Sequence, residues 1–295
     1  MSASAPRVSV LVPNYNHVRY LPRRMETIFA QTLSDVEIVL LDDASTDGSR
    51  KWCRRYAARP GVRYVENREN SGSACAQWAR GLALARGEYV WIAESDDWAA
   101  PEFLERMVDI LDAHPDVGVA YCQSQGVDAR DRVLGPVLTW TADLDPERWR
   151  RDFIASGEEE IRRYLLRKNT IPSASAAVFR RRVREVAGPL RTEFRLCGDW
   201  LHWMQLLARS DLAFTAEPLN YWRQDASGAR EASDGTLEWL EGETVLREGA
   251  RLAGLSESET TAVLFAFLRR CWQWQRDYLE GKQIRRNARR RLFRR

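Results

Sequence analysis

Short runs of apolar residues alternate, over the first 122 residues, with segments whose apolar positions recur every three to four residues. The runs lie at 8–12, 36–41, 62–65, 88–93 and 117–122. They predict strands, and the segments near 20–31, 47–58, 73–86 and 101–114 predict helices. Such alternation is typical of an α/β fold with a mostly parallel central sheet and helices on both faces.

The regular pattern fails after residue 123. Residues 124–172 contain weak strand candidates near 133–140 and a helix candidate near 158–167, and we interpret this segment as an insertion that covers the binding crevice. A strand at 175–179 and helices at 180–186 and 200–208 follow. From about residue 233 the pattern is helical to the end. We therefore predict a domain at 1–228, with a donor half at 1–123 and an acceptor half at 124–228, and a helical extension at 229–295.

Composition narrows the class of protein. The chain has 295 residues, of which 44% are hydrophobic and 29% charged, as in a globular protein with a sizeable core. The longest clean apolar run, 262–268, is too short to span a bilayer. The first six residues lack an apolar signal core, so we expect a cytoplasmic protein. The five cysteines form no CxxC pair, which argues against a zinc site and favours buried thiols.

Charge is distributed unevenly along the chain. The net charge is +3, but residues 282–295 alone carry eight Lys or Arg and no acid. Apolar residues four apart, Ile284, Ala288 and Leu292, make this tail a basic amphipathic helix candidate. It is either a solvated end or a peripheral contact with anionic lipid at the inner membrane face. Nucleic acid is not an expected partner, because the rest of the chain is net acidic.

Acidic residues follow the predicted strands at the point where each strand ends. Glu94, Asp96 and Asp97 come after the apolar run at 89–93, and Asp42 and Asp43 come after the run at 36–41. Clustered carboxylates are costly unless a cation or hydrogen-bond donors neutralise them. The alternative explanation is that Asp96 or Asp97 caps the helix near Pro101, but a cap needs one acid and here there are three.

These polar residues converge on one edge of the predicted sheet. In open α/β sheets, ligands bind beyond the carboxyl ends of the strands, where Asn14, the 42–43 pair, 67–72 and 94–97 all fall. No GxGxxG follows the first strand and no GxxxxGK[ST] is present, which disfavours a nicotinamide site and a phosphate-binding loop. A second candidate, Asp199, precedes the helix at 200–208, where an N-cap role is the alternative.

Seven motifs in order resemble the inverting family 2 glycosyltransferases of the GT-A fold, in particular a bacterial surface-polysaccharide branch. The likeness covers roughly 8–226. The motifs are VSVLVPNYN (8–16), DDASTDG (42–48), NSGS with QW (70–73, 77–78), ARGEY (85–89), WIAESDD (91–97), GDW (198–200) and LNYWR (219–223).

The resemblance implies a role for each site residue. Asp43 would contact the base of a nucleotide-sugar, usually uracil, Asp96 would approach the ribose, and Asp97 would hold Mn²⁺ or Mg²⁺ at the diphosphate. Asp199 would be the general base that deprotonates an acceptor hydroxyl, on a glycan, a lipid-linked acceptor or a small molecule. Arg223 would contact the diphosphate. The remaining residues implied for donor binding are Pro13, Asn14, Tyr15, Asp42, Asn70, Gly72 and Gln77.

Two departures from the family pattern bear on these roles. Many relatives have a histidine shortly after the arginine at 223, where this chain has Gln224 and Asp225, and many have aspartate at the position of Glu94. The missing histidine keeps an alternative function open, a catalytically inactive protein that binds nucleotide-sugars or assists assembly. A sugar-phosphate nucleotidyltransferase is disfavoured, because the glycine-rich loop and the lysine that such an enzyme needs near the first strand are missing.

Overall fold

The computed structural model describes residues 5–224 and 236–292. Within these residues the strands are β1 (Val8–Asn14), β2 (Val36–Asp42), β3 (Val62–Glu66), β4 (Tyr89–Ile92), β5 (Trp98–Ala99), β6 (Val117–Val127), β7 (Val133–Pro136), β8 (Phe153–Ala155), β9 (Ala177–Arg180) and β10 (Asp211–Arg223). The helices are α1 (Leu21–Phe29), α2 (Ser49–Ala57), α3 (Ala74–Leu82), α4 (Phe103–Ala113), α5 (Gly157–Glu160), α6 (Arg181–Val186), α7 (Gly198–Leu207), α8 (Thr236–Leu252) and α9 (Glu257–Leu292).

One sheet runs through the molecule in the order β3-β2-β1-β4-β9-β6-β10-β5, with β7 beside β6 and β8 beside β10. The strands β3, β2, β1 and β4 are parallel, as the alternating pattern predicts. β9 is antiparallel to both of its neighbours, so the sheet is mixed in its second half. The order places the ends of β1 and β4 at the centre of the sheet, where a crevice forms.

The α/β prediction is confirmed, and the differences from the predicted elements are local. The helix expected at 101–114 begins at Phe103, and its N-cap position is Glu102. The hypothesis that Asp96 or Asp97 caps this helix is therefore wrong. The longest strand, β10, was not predicted as a strand, because its Glu217-Pro218 step interrupts the apolar run and shifts its register against β6. The segment 124–172 contributes β7, β8, two 3₁₀ helices at Leu138–Trp140 and Arg148–Arg150, and the short helix α5, which a π-helix at Ile161–Leu165 continues.

Apolar residues on the two faces of the sheet form two cores. On one face, α1, α2 and α4 cover residues such as Val10 and Val12. On the other face, α3, α7 and the extension cover residues such as Leu11. The alternation of 10, 11 and 12 between the cores follows from the two-residue period of a strand. All five cysteines are buried free thiols, as expected.

The C-terminal extension packs into the second of these cores. Leu246 and Phe267 belong to the same buried cluster as Trp200 and Met204 of α7. The predicted boundary at 225–235 lies outside the described residues, and so do the side chains of the basic tail at 282–295, although α9 runs to Leu292. Throughout 5–224 and 236–292, no helix combines the length and the apolar character that crossing a bilayer requires.

Candidate active site

The loop after β4 brings three carboxylates to the centre of the crevice. Glu94 and Asp96 are partly exposed, whereas Asp97 is only 4% exposed. The indole Nε1 of Trp78 donates to Glu94 Oε1 at 2.8 Å. Burial, and then the neighbouring carboxylate of Asp96, raise the pKa of Glu94 to about 8. The same two causes raise the pKa of Asp97 to about 6. The loop therefore holds more negative charge than its surroundings readily accommodate.

Arg24 is a counter-charge that sequence reasoning missed. Its side chain is fully buried, its Nε donates to the carbonyl oxygen of Glu94 at 2.9 Å, and its guanidinium lies 4.7 Å from the centre of the Trp91 ring. Nη1 and Nη2 have no hydrogen-bond partner among the described residues. Burial lowers the pKa of Arg24 to about 10, while Asp97 and Asp96 oppose that shift. An arginine beside Leu21, Met25 and Ile28, on an otherwise apolar helix face, was the signal that could have found it.

Asp97 accepts a hydrogen bond from the backbone of Arg223. The backbone N of Arg223 donates to Asp97 Oδ1 at 2.9 Å, and the hydroxyl of Ser173 donates to Oδ2 at 2.9 Å. The Arg223 side chain donates to the carbonyl oxygens of Asp96 and Asp128 and to the carboxylate of Asp131. Arg223 therefore organises the loops around the predicted diphosphate position, with its guanidinium already engaged by protein.

Asp96 differs from Asp97 in what surrounds it. Its carboxylate makes no hydrogen bond or ion pair with any residue in the described part of the chain, and it is partly exposed. Of the two acids predicted to meet the donor, Asp96 thus has the oxygens more open to a ligand, while Asp97 retains the second lone pair of each oxygen.

The ends of β1 and β2 form the neighbouring part of the crevice. The strands are in register, with Asn14 opposite Asp42. Asn14 Nδ2 donates to Asp42 Oδ2 at 2.8 Å, and the backbone N of Ser45 donates to Asp42 Oδ1 at 2.9 Å. Pro13 is buried within β1, and Tyr15, just beyond the strand, is 46% exposed. Asn14 and Asp42 therefore fix the turn, and Tyr15 is the member of this group that a ligand can reach.

Asp43 anchors the loop that precedes α3. Its carboxylate accepts hydrogen bonds from Gln77 Nε2 at 2.9 Å, from Asn70 Nδ2 at 3.0 Å, and from both the backbone N and the hydroxyl of Ser71. Gly72, with φ of +69°, follows in this loop and donates its N–H to Asn70 Oδ1. The structure thus brings together the predicted donor residues of two motifs that lie about thirty positions apart.

Asp199 lies in the first turn of α7 and not at its N-cap. The helix begins at Gly198, the N-cap position is Cys197, and no side-chain cap bond is formed there. Asp199 Oδ1 accepts from the backbone N of Trp200 at 2.7 Å, and Oδ2 accepts from Asn169 Nδ2 at 2.9 Å. The N-cap explanation is therefore wrong. Asn169, which sequence reasoning missed, orients the carboxylate.

Residues 169–175 connect Asp199 to the loop at 94–97 that follows β4, which we call the acid loop. Asn169 binds Asp199, Ser173 binds Asp97, and the Ser175 hydroxyl accepts from the backbone N of Glu94 at 3.1 Å. Four residues of extended chain span at most about 14 Å, so the Cα atoms of Asn169 and Ser173 are no farther apart than that. This bridge brings two motifs a hundred residues apart in sequence to a single site.

The extension holds the segment that leads into α7. Both carboxylate oxygens of Glu241, which is 6% exposed in α8, accept from backbone N–H groups of residues 195, 196 and 197 at 2.8–2.9 Å. These groups immediately precede the helix that carries Asp199. Bonds to a charged acceptor are among the stronger hydrogen bonds, so Glu241 fixes the start of α7 from outside the predicted catalytic domain.

Asp199 also lines a pocket of about 300 Å³. Its walls come from the segment around Trp140, from residues 167–169, and from the extension through Trp239, Phe267 and Arg270. The pocket therefore joins the predicted general base to a surface that the extension provides.

A divalent cation fits the acid loop by its chemistry. Oxygen ligands suit Mg²⁺ and Mn²⁺, and Asp96 and Asp97 supply carboxylate oxygens whose mutual repulsion a cation would relieve. In the described part of the chain, no three His, Cys, Asp or Glu side chains are arranged as a complete ligand set. Such a loop suits an ion that takes its remaining ligands from water and from the phosphates of a substrate.

Comparison of the sequence identifies its family. The model of glycosyl transferase family 2 matches residues 9–187. An uncharacterized glycosyltransferase of Nostoc sp. is 30% identical over 188 residues, which are 62% of this chain and 54% of that protein. Chondroitin synthase of Escherichia coli is 27% identical over 136 residues, 46% of this chain and 20% of the synthase. The chain thus spans about half or less of the length of these relatives.

Solved structures share the fold. TarS of S. aureus, in a complex with UDP-GlcNAc, superposes with a TM-score of 0.70 at 20% identity, covering 92% of this chain and 74% of that one. The mannosyltransferase PcManGT of Pyrobaculum calidifontis, with GDP-Man and Mn²⁺, gives a TM-score of 0.59 at 21% identity, covering 96% and 87%. With the family match over 9–187, these similarities establish that the chain belongs to glycosyltransferase family 2 and has the GT-A type of fold.

Proposed function

We propose that this chain transfers a sugar from a nucleotide-diphosphate sugar, with UDP as the expected nucleotide, to a hydroxyl group of an acceptor, with inversion at the anomeric carbon. The observation that carries the proposal is the 169–175 bridge, which joins Asp199 to the acid loop through Asn169 and Ser173. Membership of the family supports it, and so do the nucleotide-sugar complexes of TarS and PcManGT.

Asp199 is the proposed general base. Its partial exposure and its place in the wall of the 300 Å³ pocket allow an acceptor hydroxyl to approach it. Asn169 Nδ2 donates to Asp199 Oδ2 and so helps to hold the carboxylate in one orientation. Loss of the proton makes the acceptor oxygen a better nucleophile, which attacks the anomeric carbon from the face opposite the leaving diphosphate. A single displacement of this kind inverts the anomeric configuration.

The donor half positions the nucleotide-sugar. We assign the base to the loops that carry Asp43 and Tyr15, the ribose to Asp96, and a cation to Asp97. A bound Mn²⁺ or Mg²⁺ would neutralise charge that develops on the leaving diphosphate. Arg24 and Arg223 hold the acid loop in place through hydrogen bonds to the carbonyl oxygens of Glu94 and Asp96. The chain's own residues thereby keep the donor site in one arrangement before substrate arrives.

Donor binding is tested by thermal shift with UDP-GlcNAc, UDP-glucose and GDP-mannose, each with and without Mn²⁺. A ligand that binds only the folded state raises stability by RT ln(1 + [L]/Kd). We expect a UDP-sugar to raise the Tm more with Mn²⁺ than without it, and Asp97→Asn to abolish the Mn²⁺-dependent part. Asp109→Asn, at an exposed position of α4, is the matched control. Equal shifts with and without Mn²⁺ would contradict the role assigned to Asp97.

Catalysis is tested with Asp199→Asn. We expect transfer to fall by about 10²–10⁴-fold, because general base catalysis contributes about that much, while the donor-induced thermal shift stays that of the wild type. Transfer at the wild-type rate in this variant would rule out Asp199 as the base. Tight donor binding without turnover on any acceptor, in the wild type, would favour the inactive binding protein instead.

A further inference from the structure

The pocket beside Asp199 has an aromatic lining that is held in place. The indole Nε1 of Trp140 donates to the carbonyl oxygen of Asn169 at 2.7 Å, and its ring meets that of Trp222 edge-on at 5.5 Å. Trp239 of α8 is partly exposed and also lines the pocket. Fixed indole rings offer apolar faces with little loss of side-chain entropy on binding. The pocket is therefore built to receive a ring such as that of a sugar.

Three cations, Arg167, Lys168 and Arg270, line the same pocket, and among the described residues only Lys168 has a direct ion-pair partner. Lys168 pairs with Asp143 at 3.1 Å and lies 4.9 Å from the centre of the Trp140 ring. The guanidinium groups of Arg167 and Arg270 make no hydrogen bond or ion pair with any residue in the described ranges. Both are exposed to solvent, so an anion can reach them.

The two arginines lie close enough to repel each other. Partial burial lowers the pKa of Arg270 and the charge of Arg167 lowers it further, while the neighbouring Cys271 and Asp143 oppose that shift. The acids of the lining are Asp199, Asp143 and Glu238; Asp143 pairs with Lys168, and Asp199 accepts from Asn169 and from the backbone N of Trp200. An oxyanion placed between the two guanidinium groups would remove their repulsion and accept hydrogen bonds from both.

We propose that the acceptor is an acidic glycan, whose accepting hydroxyl meets Asp199 while a carboxylate or phosphate group on the same or the adjoining sugar binds Arg167 and Arg270. This inference rests on the proposed function for the role of Asp199. It makes the extension part of the acceptor site, because Trp239 and Arg270 come from α8 and α9. Donor binding does not enter into it, since no residue assigned to the donor lines this pocket.

Binding of simple glycosides tests the proposal without any need for turnover. Methyl β-glucuronide, methyl β-glucoside 6-phosphate and neutral methyl β-glucoside are titrated against the full chain, with tryptophan fluorescence as the signal. We expect both charged glycosides to bind about tenfold more tightly than the neutral one, since a charge-assisted hydrogen bond has roughly that effect. The preference should weaken as salt is raised.

Two variants distinguish binding by the arginines of the pocket from attraction by positive charge elsewhere on the surface. The double variant Arg167→Gln with Arg270→Gln should lose the preference, whereas Arg269→Gln, the neighbouring exposed arginine of α9 that does not line the pocket, should keep it. Equal binding of all three glycosides, no binding at millimolar concentration, or a preference that survives in the double variant would overturn the proposal. The tighter charged ligand identifies the group as carboxylate or phosphate.

Failure here is distinguishable from failure of the proposed function. Acceptor-independent hydrolysis of UDP-GlcNAc and its thermal shift report on the donor half, and we expect the double variant to keep both. If the chain binds and hydrolyses the donor but shows no preference for charged glycosides, the proposed function stands and the proposal of an acidic acceptor is wrong.

Discussion

At the scale of single residues, the site depends on how charge is held inside the protein. Arg24 lies beneath the acid loop and yet bonds to it through one backbone oxygen, so it offsets the charge of the loop without neutralising any one carboxylate. Glu94 is stabilised by the indole of Trp78 and still has a raised pKa. An added positive charge would therefore stabilise the loop. In its absence, burial of the Glu94 carboxylate should lower the free energy of unfolding.

The first prediction concerns pH and Glu94. The folded state holds a proton on Glu94 up to pH about 8, whereas the unfolded chain releases it near 4.5. The folded state therefore binds more protons between these values, and the free energy of unfolding should fall as pH rises from about 4.5 to 8. Glu94→Gln keeps an acceptor for Trp78 and should flatten that fall, as measured by urea unfolding across the range.

Glu102→Gln is the control for this prediction, because Glu102 is exposed at the N-cap position of α4. It should leave the pH dependence as it is in the wild type. An unchanged slope in Glu94→Gln would show that the carboxylate of Glu94 titrates normally in the folded protein.

At the scale of elements, the position of α7 is decided by its neighbours. The Asn169–Asp199 bond holds α7 from the 169–175 bridge, and Glu241 of α8 binds three backbone N–H groups of the segment that immediately precedes α7. Glu241 touches neither predicted substrate, so we regard it as a positioning residue. Its effect on chemistry should appear in turnover and not in donor affinity.

Glu241→Gln should therefore lower kcat with little change in the donor Kd, and should lower the free energy of unfolding by about 1–3 kcal/mol, since one charged acceptor of three buried N–H groups is weakened. Steady-state kinetics and urea unfolding measure the two effects. Glu243→Gln, whose carboxylate pairs with Arg247 on the exposed face of the same helix, should change neither. A loss of donor affinity that matches the loss of kcat would argue for a general disturbance of the fold.

At the scale of the whole molecule, the extension and the family 2 body share one core. Gly249 of α8 packs so closely against α7 that a Cβ atom there would lie 2.2 Å from Met204 Sδ and 3.2 Å from Leu166 Cδ2. Met204 is fully buried, so any shift of its side chain must be taken up by the surrounding core. The surface joining the two parts is thus as tightly packed as the interior of either.

Gly249→Ala should destabilise the protein by up to about 2 kcal/mol, although alanine is the better helix former, because overpacking costs about 1–3 kcal/mol and the helix gains about 1. Thermal unfolding should show a single transition with a lower Tm. Thr244→Ala, a partly exposed position of α8, should be neutral or slightly stabilising. Two separate transitions in either variant would mean that the extension unfolds independently.

The sequence by itself determined the early strands, the helices between them, and the acids at the strand ends, because strand and helix periods and turn residues are local properties of the chain. The motifs at 42–48 and 91–97 predict a donor site through their resemblance to family 2. Tertiary structure alone decided which distant residues complete that site. Asn169, Ser173 and Glu241 act through contacts between segments that no local pattern links, and the pocket at Asp199 exists because α8 and α9 fold back onto α7.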